Sequence, residues 1–139
     1  CERGSLYAAG DEGLVLRRHA HTDGSGEWRG LRLPHDTHEA FTSIGCDHGR
    51  AAIVGANGSV LLASGDDSVL LPSGTESAWH CISGADDEST WLVGGGGQLA
   101  SIEVDHVQTR MDGPTFPLRD VATIGGAVVA VGEWGHIVR

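Results

Sequence analysis

The chain has 139 residues, which fits one domain of ordinary size, and 40% of them are hydrophobic, which is enough to bury a core and excludes a disordered chain. The formal net charge of −10 would repel a phosphate backbone, so nucleic acid is excluded as an expected partner. No apolar run reaches the length of a membrane span, and 22 glycines indicate many turns.

Four tetrads of the form G-x-x-G recur along the chain between short apolar runs. They are GDEG at 10–13, GANG at 55–58, GGGG at 94–97 and GEWG at 132–135. Their first glycines are 45, 39 and 38 residues apart (10 to 55, 55 to 94, 94 to 132). Near-constant spacing of one local pattern indicates an internal structural repeat.

The runs that flank each tetrad are short and rich in Val, Ile, Leu and Ala, which predicts strands. The tetrad glycines supply the positive φ of a tight hairpin, so each tetrad joins two antiparallel strands, B and C. A strand A is predicted before three of these pairs, at AFTSIG (40–45), AWHCIS (78–83) and LRDVATIG (118–125). A strand D is predicted after three of them, at EWRGLRLP (27–34), DSVLLP (67–72) and HVQTRM (106–111). No stretch has a convincing helical period with caps.

Four short strands in a period of about 40 residues are typical of β-propeller blades. The predicted fold is all-β, a β-propeller of four-stranded antiparallel blades with about three and a half blades in view. A single domain covers 1–139, and its blades span approximately 1–39, 40–77, 78–116 and 117–139. Because the first and last blades each hold three strands, we expect a piece of a longer propeller, a ring closed by another chain, or a small open-ended ring.

The segment AAGDEGLVLRRHAHTDGSGEWRGLRLP (8–34) resembles the Asp-box propellers, the bacterial neuraminidase-type repeats, and among them the photosystem II assembly-factor-like proteins. Asp23 and Trp28 have the Asp-box spacing, and the second blade keeps only Ser-Gly-Asp at 64–66. The resemblance implies the propeller fold and assigns Asp23 and Trp28 to a structural turn between strands C and D. Catalytic sialidases of this kind need an arginine cluster and a tyrosine nucleophile, and the one tyrosine, Tyr7, lies inside a predicted strand.

Catalytic and cofactor motifs receive little support. Phosphate loops need a helix after the glycines, whereas strands follow all four tetrads, and the chain contains no lysine. There is no G-x-S-x-G elbow. The acidic runs at 66–67 and 86–88 lack the spacing of a calcium loop and are interpreted as solvated turn residues. The sequence therefore predicts no enzyme activity and no cofactor.

Two histidine pairs have spacings that can bind a metal. His19 and His21 lie on or just past strand C, where residues i and i+2 share a face, and His35 and His38 lie in the loop between blades one and two. Exposed loop histidines have the same pattern, so no metal site is predicted.

The cysteines leave the cellular location open. Cys1, Cys46 and Cys81 are odd in number and lack C-x-x-C spacing, so they indicate neither a disulfide framework nor a zinc site. Cys1 fits the lipid-carrying residue of a mature lipoprotein, which favours the bacterial cell envelope or secretion, or else an arbitrary boundary.

Propeller geometry places the B–C turns and the D–A loops on one face of the ring. The candidate interaction residues on that face are Asp11, Glu12, Asn57, Glu133, Trp134, His35 and His38. Trp134 is either an exposed anchor for a partner or packs on the next blade. We expect a non-catalytic protein-interaction or scaffold module that binds a protein partner or further blades, with homo-oligomers as a possibility. The alternative is a carbohydrate-binding or degenerate glycosidase-like propeller, which would carry acids and aromatics around a pocket instead of a broad surface.

Overall fold

The computed structural model describes residues 4–19, 21, 23, 25–34, 38–84, 89–112 and 116–139. Strands dominate this part of the chain, and its helical segments are 3-10 turns of three residues each. Within the same ranges, no helix has the length and apolar character needed to cross a membrane. The strands are β1 (Ser5–Ala9), β2 (Val15–His19), β3 (Trp28–Gly30), β4 (Phe41–Asp47), β5 (Arg50–Gly55), β6 (Val60–Ser64), β7 (Asp67–Leu71), β8 (Trp79–Ser83), β9 (Thr90–Gly94), β10 (Gln98–Glu103), β11 (His106–Asp112), β12 (Leu118–Ile124), β13 (Ala127–Gly132) and β14 (Ile137–Val138).

The strands form four antiparallel sheets in which each strand pairs with its neighbour in the chain. The first sheet has the order β1-β2-β3, the second β4-β5-β6-β7, the third β8-β9-β10-β11 and the fourth β12-β13-β14. The predicted all-β fold of propeller blades is confirmed, with two blades of four strands and two of three. Each sheet lies inside one of the four predicted blades, whose exact boundaries remain a prediction.

Three hydrophobic cores lie between successive sheets, because successive side chains of a strand point to opposite faces and the inner strands are apolar at both. The first core, between the first and second sheets, contains Val15, Phe41, Ile53 and Leu61. The second core, between the second and third sheets, contains Ala52, Val54, Val60, Leu62, Leu71, Trp79, Ile82, Leu92, Ala100 and Ile102. The third core, between the third and fourth sheets, contains Val93, Leu99, Leu118, Val121 and Ala130. Strands β5 and β9 are therefore apolar on both faces because both of their faces are covered.

The tetrads do join strands B and C, and the predicted positive φ is confirmed at the last glycine of each tetrad but is wrong at the first. The first glycine is extended, with φ of −160° at Gly55, −156° at Gly94 and −142° at Gly132. The left-handed residues are the third and fourth of each tetrad, for example Asn57 at φ 55° and Gly58 at φ 71°.

The first glycine is required for space rather than for its backbone angle. A Cβ on Gly55 would lie 2.4 Å from the carbonyl oxygen of Ala40, the residue before β4. The same contact would be 2.5 Å at Gly94 and 2.6 Å at Gly132. The hairpin tip is thus pressed against the start of strand A of its own blade.

Candidate interaction face

Hydrogen bonds tie the B–C turns to the segments that lead into the A strands. The amide of Ala56 donates to the Ala40 carbonyl at 2.9 Å, and that of Glu133 donates to the Pro117 carbonyl at 3.1 Å. The amide of Gly13 donates to the Glu39 carbonyl at 2.8 Å, which links the first blade to the second. We call the surface formed by the four tetrads and by residues 38–40, 72–78 and 116–117 the hairpin face.

Most of the candidate interaction residues are exposed on the hairpin face. Asp11, Glu12, Asn57 and His38 are exposed, whereas Glu133 is half-buried and forms an ion pair with Arg119. The candidates lie in different blades, so they are spread along the surface. His35, Cys1 and the acidic run 86–88 lie outside the described residues.

Trp134 is the most exposed large hydrophobic side chain among the described residues, at 84% of its maximum. The described sheets therefore leave Trp134 uncovered, and because it lies in the last of the four blades, its packing on a following blade stays a prediction. Its backbone is left-handed, with φ 59° and ψ 23°, a region that bulky residues rarely adopt. The equivalent positions of the second and third tetrads carry Asn57 and Gly96, which tolerate this conformation.

The residues around the fourth tetrad hold this turn in place. Arg119 on β12 pairs with Glu133, and the Phe116 ring stacks on the His136 ring with centroids 4.7 Å apart and planes at 21°. The His136 amide also donates to the Glu133 carbonyl at 3.2 Å. The indole of Trp134 therefore projects from a turn that is braced on both sides.

A shallow cleft of about 600 Å³ lies on the hairpin face between the second tetrad and the segments before β4 and β8. Its lining residues are Glu39, Asn57, Gly58, Ser59, Leu70, Leu71, Ser73, Gly74, Thr75 and Glu76. No aromatic side chain lines the cleft among the residues that the structure describes, so this part of it lacks the stacking platform expected for a carbohydrate site.

A second cleft, of about 680 Å³, lies near the C–D turns of the first two blades and was not anticipated from the sequence. Arg17 and Arg29 are directly opposite each other across β2 and β3. Their charges are balanced locally, because Arg17 contacts Asp66 at 3.1 Å and Arg29 lies 3.9 Å from Glu27. Only the register of the two strands reveals that these arginines are neighbours. Because each arginine lies beside a carboxylate, the described lining of the cleft has no excess charge that would indicate a ligand.

The histidines of the second cleft do not assemble a metal site in the described part of the chain. The rings of His19 and His21 meet edge to face with centroids 6.1 Å apart. No group of three or more histidine, cysteine or acidic side chains that could hold a metal occurs among the described residues.

Asp23 holds the turn between β2 and β3. Its carboxylate accepts hydrogen bonds from the Ser25 amide at 2.8 Å and the Ser25 hydroxyl at 2.6 Å. The hydroxyl bond, followed by the amide bond, lowers the pKa of Asp23 below its ordinary value. Trp28 is about half exposed at the start of β3. The Asp23 contacts are those of a local turn, while membership of the Asp-box family remains a prediction.

A buried polar network at the β4–β5 turn was missed from the sequence. Asp47 is almost fully buried and accepts hydrogen bonds from Arg50 at 2.6 Å and from the Thr90 hydroxyl of the third sheet at 2.9 Å. His48 Nδ1 lies 3.1 Å from the same carboxylate. Arg50 also donates to the Val104 carbonyl at 2.9 Å. The network joins the A–B turn of the second blade to the third blade, including its C–D turn at Val104, on the side away from the hairpin face.

The cysteines differ in their bonding. Cys46 is disulfide-bonded, which the odd number and the spacing of the cysteines did not indicate. Cys81 is free, and its thiol donates to an Asp120 carboxylate oxygen at 2.9 Å. Partial burial and then this carboxylate raise the pKa of the Cys81 thiol.

Comparison of the chain with protein-family models and with curated proteins finds no match. The fold places the chain among propeller-like all-β proteins. A fold does not determine a function, so the function is argued from the residues of the hairpin face.

Proposed function

We propose that this chain is a non-catalytic interaction module that binds a protein partner through the hairpin face, with Trp134 as the anchor. The observation that carries the proposal is the 84% exposure of a tryptophan held in a left-handed backbone. A bulky residue with a left-handed backbone destabilises the fold by about 1–2 kcal/mol, and the exposed indole does not offset this strain by burying apolar surface in the free chain.

The indole offers a large gain when a partner covers it. Aromatic side chains bury about 150–250 Å² at about 25 cal/mol per Å², which gives roughly 4–6 kcal/mol of gross binding free energy. Tryptophan is enriched among the residues that dominate protein–protein binding. The braced turn also removes much of the entropy cost of fixing the side chain.

The shape of the hairpin face favours a protein over a carbohydrate ligand. Its candidate residues are distributed over several blades, and the described lining of the cleft beside Asn57 contains no aromatic side chain. Trp134 is not among the residues that line this cleft. A broad surface with a projecting anchor fits a protein partner better than a sugar pocket does. The resemblance to Asp-box propellers supports the same proposal, because such folds present one ring face to ligands.

The experiment compares two variants in which asparagine replaces an exposed, left-handed residue, one on the hairpin face and one away from it. Val104 is 75% exposed and also left-handed at φ 51°, but it lies in the turn after β10, away from the hairpin face. A partner captured by the native chain should bind Trp134→Asn about 30-fold more weakly, as expected for loss of about 2 kcal/mol, and should bind Val104→Asn unchanged. Equal affinity of all three chains would overturn the proposal.

A further inference from the structure

The first and fourth sheets each bury one face and leave the other open. Ala9 and Val15 of the first sheet pack against the second sheet. Val121 and Ala130 of the fourth sheet pack against the third. Neighbouring positions in a strand point to opposite faces, so the residues between these point away from the chain's own sheets.

The open face of the fourth sheet is apolar. In the register of β12–β14, Ala122 lies opposite Val129, and Val131 lies opposite Ile137. Val131 is 40% exposed and Ile137 is 70% exposed, and Ile124 on the same face is 69% exposed. These side chains lie on three strands, and Asp120, which the register places opposite Val131, is the charged residue of the same row.

The repeat shows what such positions do in the inner blades. Val131 directly precedes its tetrad, as Val54 and Val93 do, and both of those valines are fully buried against the next sheet. Ile137 lies two residues after the last glycine of its tetrad. Val60 has the same position in the second blade and is also fully buried. The fourth sheet therefore presents the surface that the second and third sheets use to receive the following blade.

The open face of the first sheet is the counterpart. Leu6, Arg18 and Trp28 form one row across β1–β3. Leu6 and Trp28 are each about half exposed, and the Arg18 side chain is anchored by a 3.0 Å hydrogen bond from Nε to the Gly26 carbonyl. Leu16 lies on the same face at the position of Leu61, which the second sheet buries against the preceding blade.

We propose that these two faces pack on each other between two copies of this chain, first sheet on fourth sheet, in a closed head-to-tail ring. The contact continues the stacking that already occurs three times within one chain. Two copies bring together eight sheets, which lies within the four to eight blades of about that size that propellers use. The exposure of Leu6 and Ile137 shows that the two faces do not meet within one chain.

The area explains why both contacts are needed at once. Three strands spaced about 4.8 Å apart and five residues long at about 3.3 Å per residue give a footprint of about 240 Å². Weak specific interfaces bury about 600 Å² of accessible surface per partner. The footprint of one contact is less than half of that area. Two contacts give about 480 Å² of flat footprint per chain, and the accessible area is larger than the footprint because side chains project from the sheet.

The test is the mass of the full chain in solution, measured by light scattering across a dilution series. We expect twice the 14.5 kDa of one chain. Because the ring needs both contacts, Leu6→Asp and Ile137→Asp should each reduce the mass to that of one chain. The control Val69→Asp changes another half-exposed residue, on the edge strand β7 of an inner blade, and should keep the dimer.

Circular dichroism confirms folding of each variant, which both exposed positions are expected to preserve. A single-chain mass for the native protein at every concentration would overturn the proposal. A dimer lost in only one of the two face variants would also overturn it, since a two-fold contact between like faces behaves in that way.

Discussion

Replacement of Gly58 by alanine should destabilise the fold far more than the same replacement at Gly135. Both residues end a tetrad, and both are left-handed, with φ of 71° and 74°. A Cβ on Gly58 would lie 1.9 Å from the Thr75 carbonyl oxygen, whereas a Cβ on Gly135 would meet nothing within 4 Å. The pair therefore separates the cost of the backbone angle from the cost of lost space.

The magnitudes follow from these contacts. Left-handed alanine costs about 1–2 kcal/mol at either site. At Gly58 the Thr75 segment must also move, which endangers the hydrogen bond from Trp79 Nε1 to the Gly58 carbonyl (3.1 Å) and the one from the Thr75 hydroxyl to Gln98 (3.2 Å). At about 1 kcal/mol each, plus local repacking, the total for Gly58→Ala is about 3–5 kcal/mol.

Urea denaturation of the two variants measures this difference directly, because the gain from a stiffer unfolded chain is the same for both and cancels. We expect Gly58→Ala to lose at least about 2 kcal/mol more than Gly135→Ala. Losses equal within about 0.5 kcal/mol would refute the close approach of the hairpin tip to the loop before β8.

Three further predictions concern strain, the buried network and the free thiol. Trp134→Asn should raise the free energy of unfolding by about 0.5–1 kcal/mol, because asparagine tolerates the left-handed backbone and little burial is lost; a destabilised variant in thermal unfolding would mean that the indole packs on the protein. Asp47→Ala should cost about 3–4 kcal/mol in urea denaturation, while removal of Asp105, the exposed partner of Arg50 at 3.7 Å, should cost less than about 1 kcal/mol; similar costs would contradict the network. Because the pKa of the Cys81 thiol is raised, its contribution to stability is present at neutral pH and is lost as the pH rises through the raised value; iodoacetamide should therefore alkylate it more slowly than free cysteine, and a rate equal to that of free cysteine would be inconsistent with the Asp120 contact.

The strands could be predicted because their signal is local. Runs such as RAAIVG (50–55) are strand-length, apolar and bounded by glycine, and runs of this kind recur at near-constant spacing. The packing between sheets favours the same extended conformation as these local sequence patterns, so the predicted strands correspond to β1–β14. The recurrence also supplied the number of blades, which no single run would indicate.

The details of the turns could not be predicted from glycine alone. Glycine is required either for a positive φ or for close approach of another backbone, and the sequence does not distinguish the two reasons. At Gly55 the reason is the Ala40 carbonyl, whereas at Gly58 both reasons apply. The exposure of Trp134 was left open for a similar reason, because nothing in the sequence shows whether a neighbouring element covers a turn.

Contacts between blades were beyond the reach of the sequence. Asp47 is buried by a partner 43 residues away, Thr90, and nothing in the local pattern of either strand indicates the pairing. The Arg17–Arg29 pair depends on the register of β2 and β3, which the hydrophobic pattern of the short strand β3 does not fix.

The role of Trp134 as the anchor for a partner is tested most directly by the affinity of a captured partner for the Trp134→Asn and Val104→Asn chains, measured by calorimetry beside the native chain. Both variants relieve a left-handed backbone at an exposed residue, so they share any effect on stability. We expect about 30-fold weaker binding for Trp134→Asn and native affinity for Val104→Asn. Native affinity for both variants would show that the partner does not use the hairpin face at Trp134.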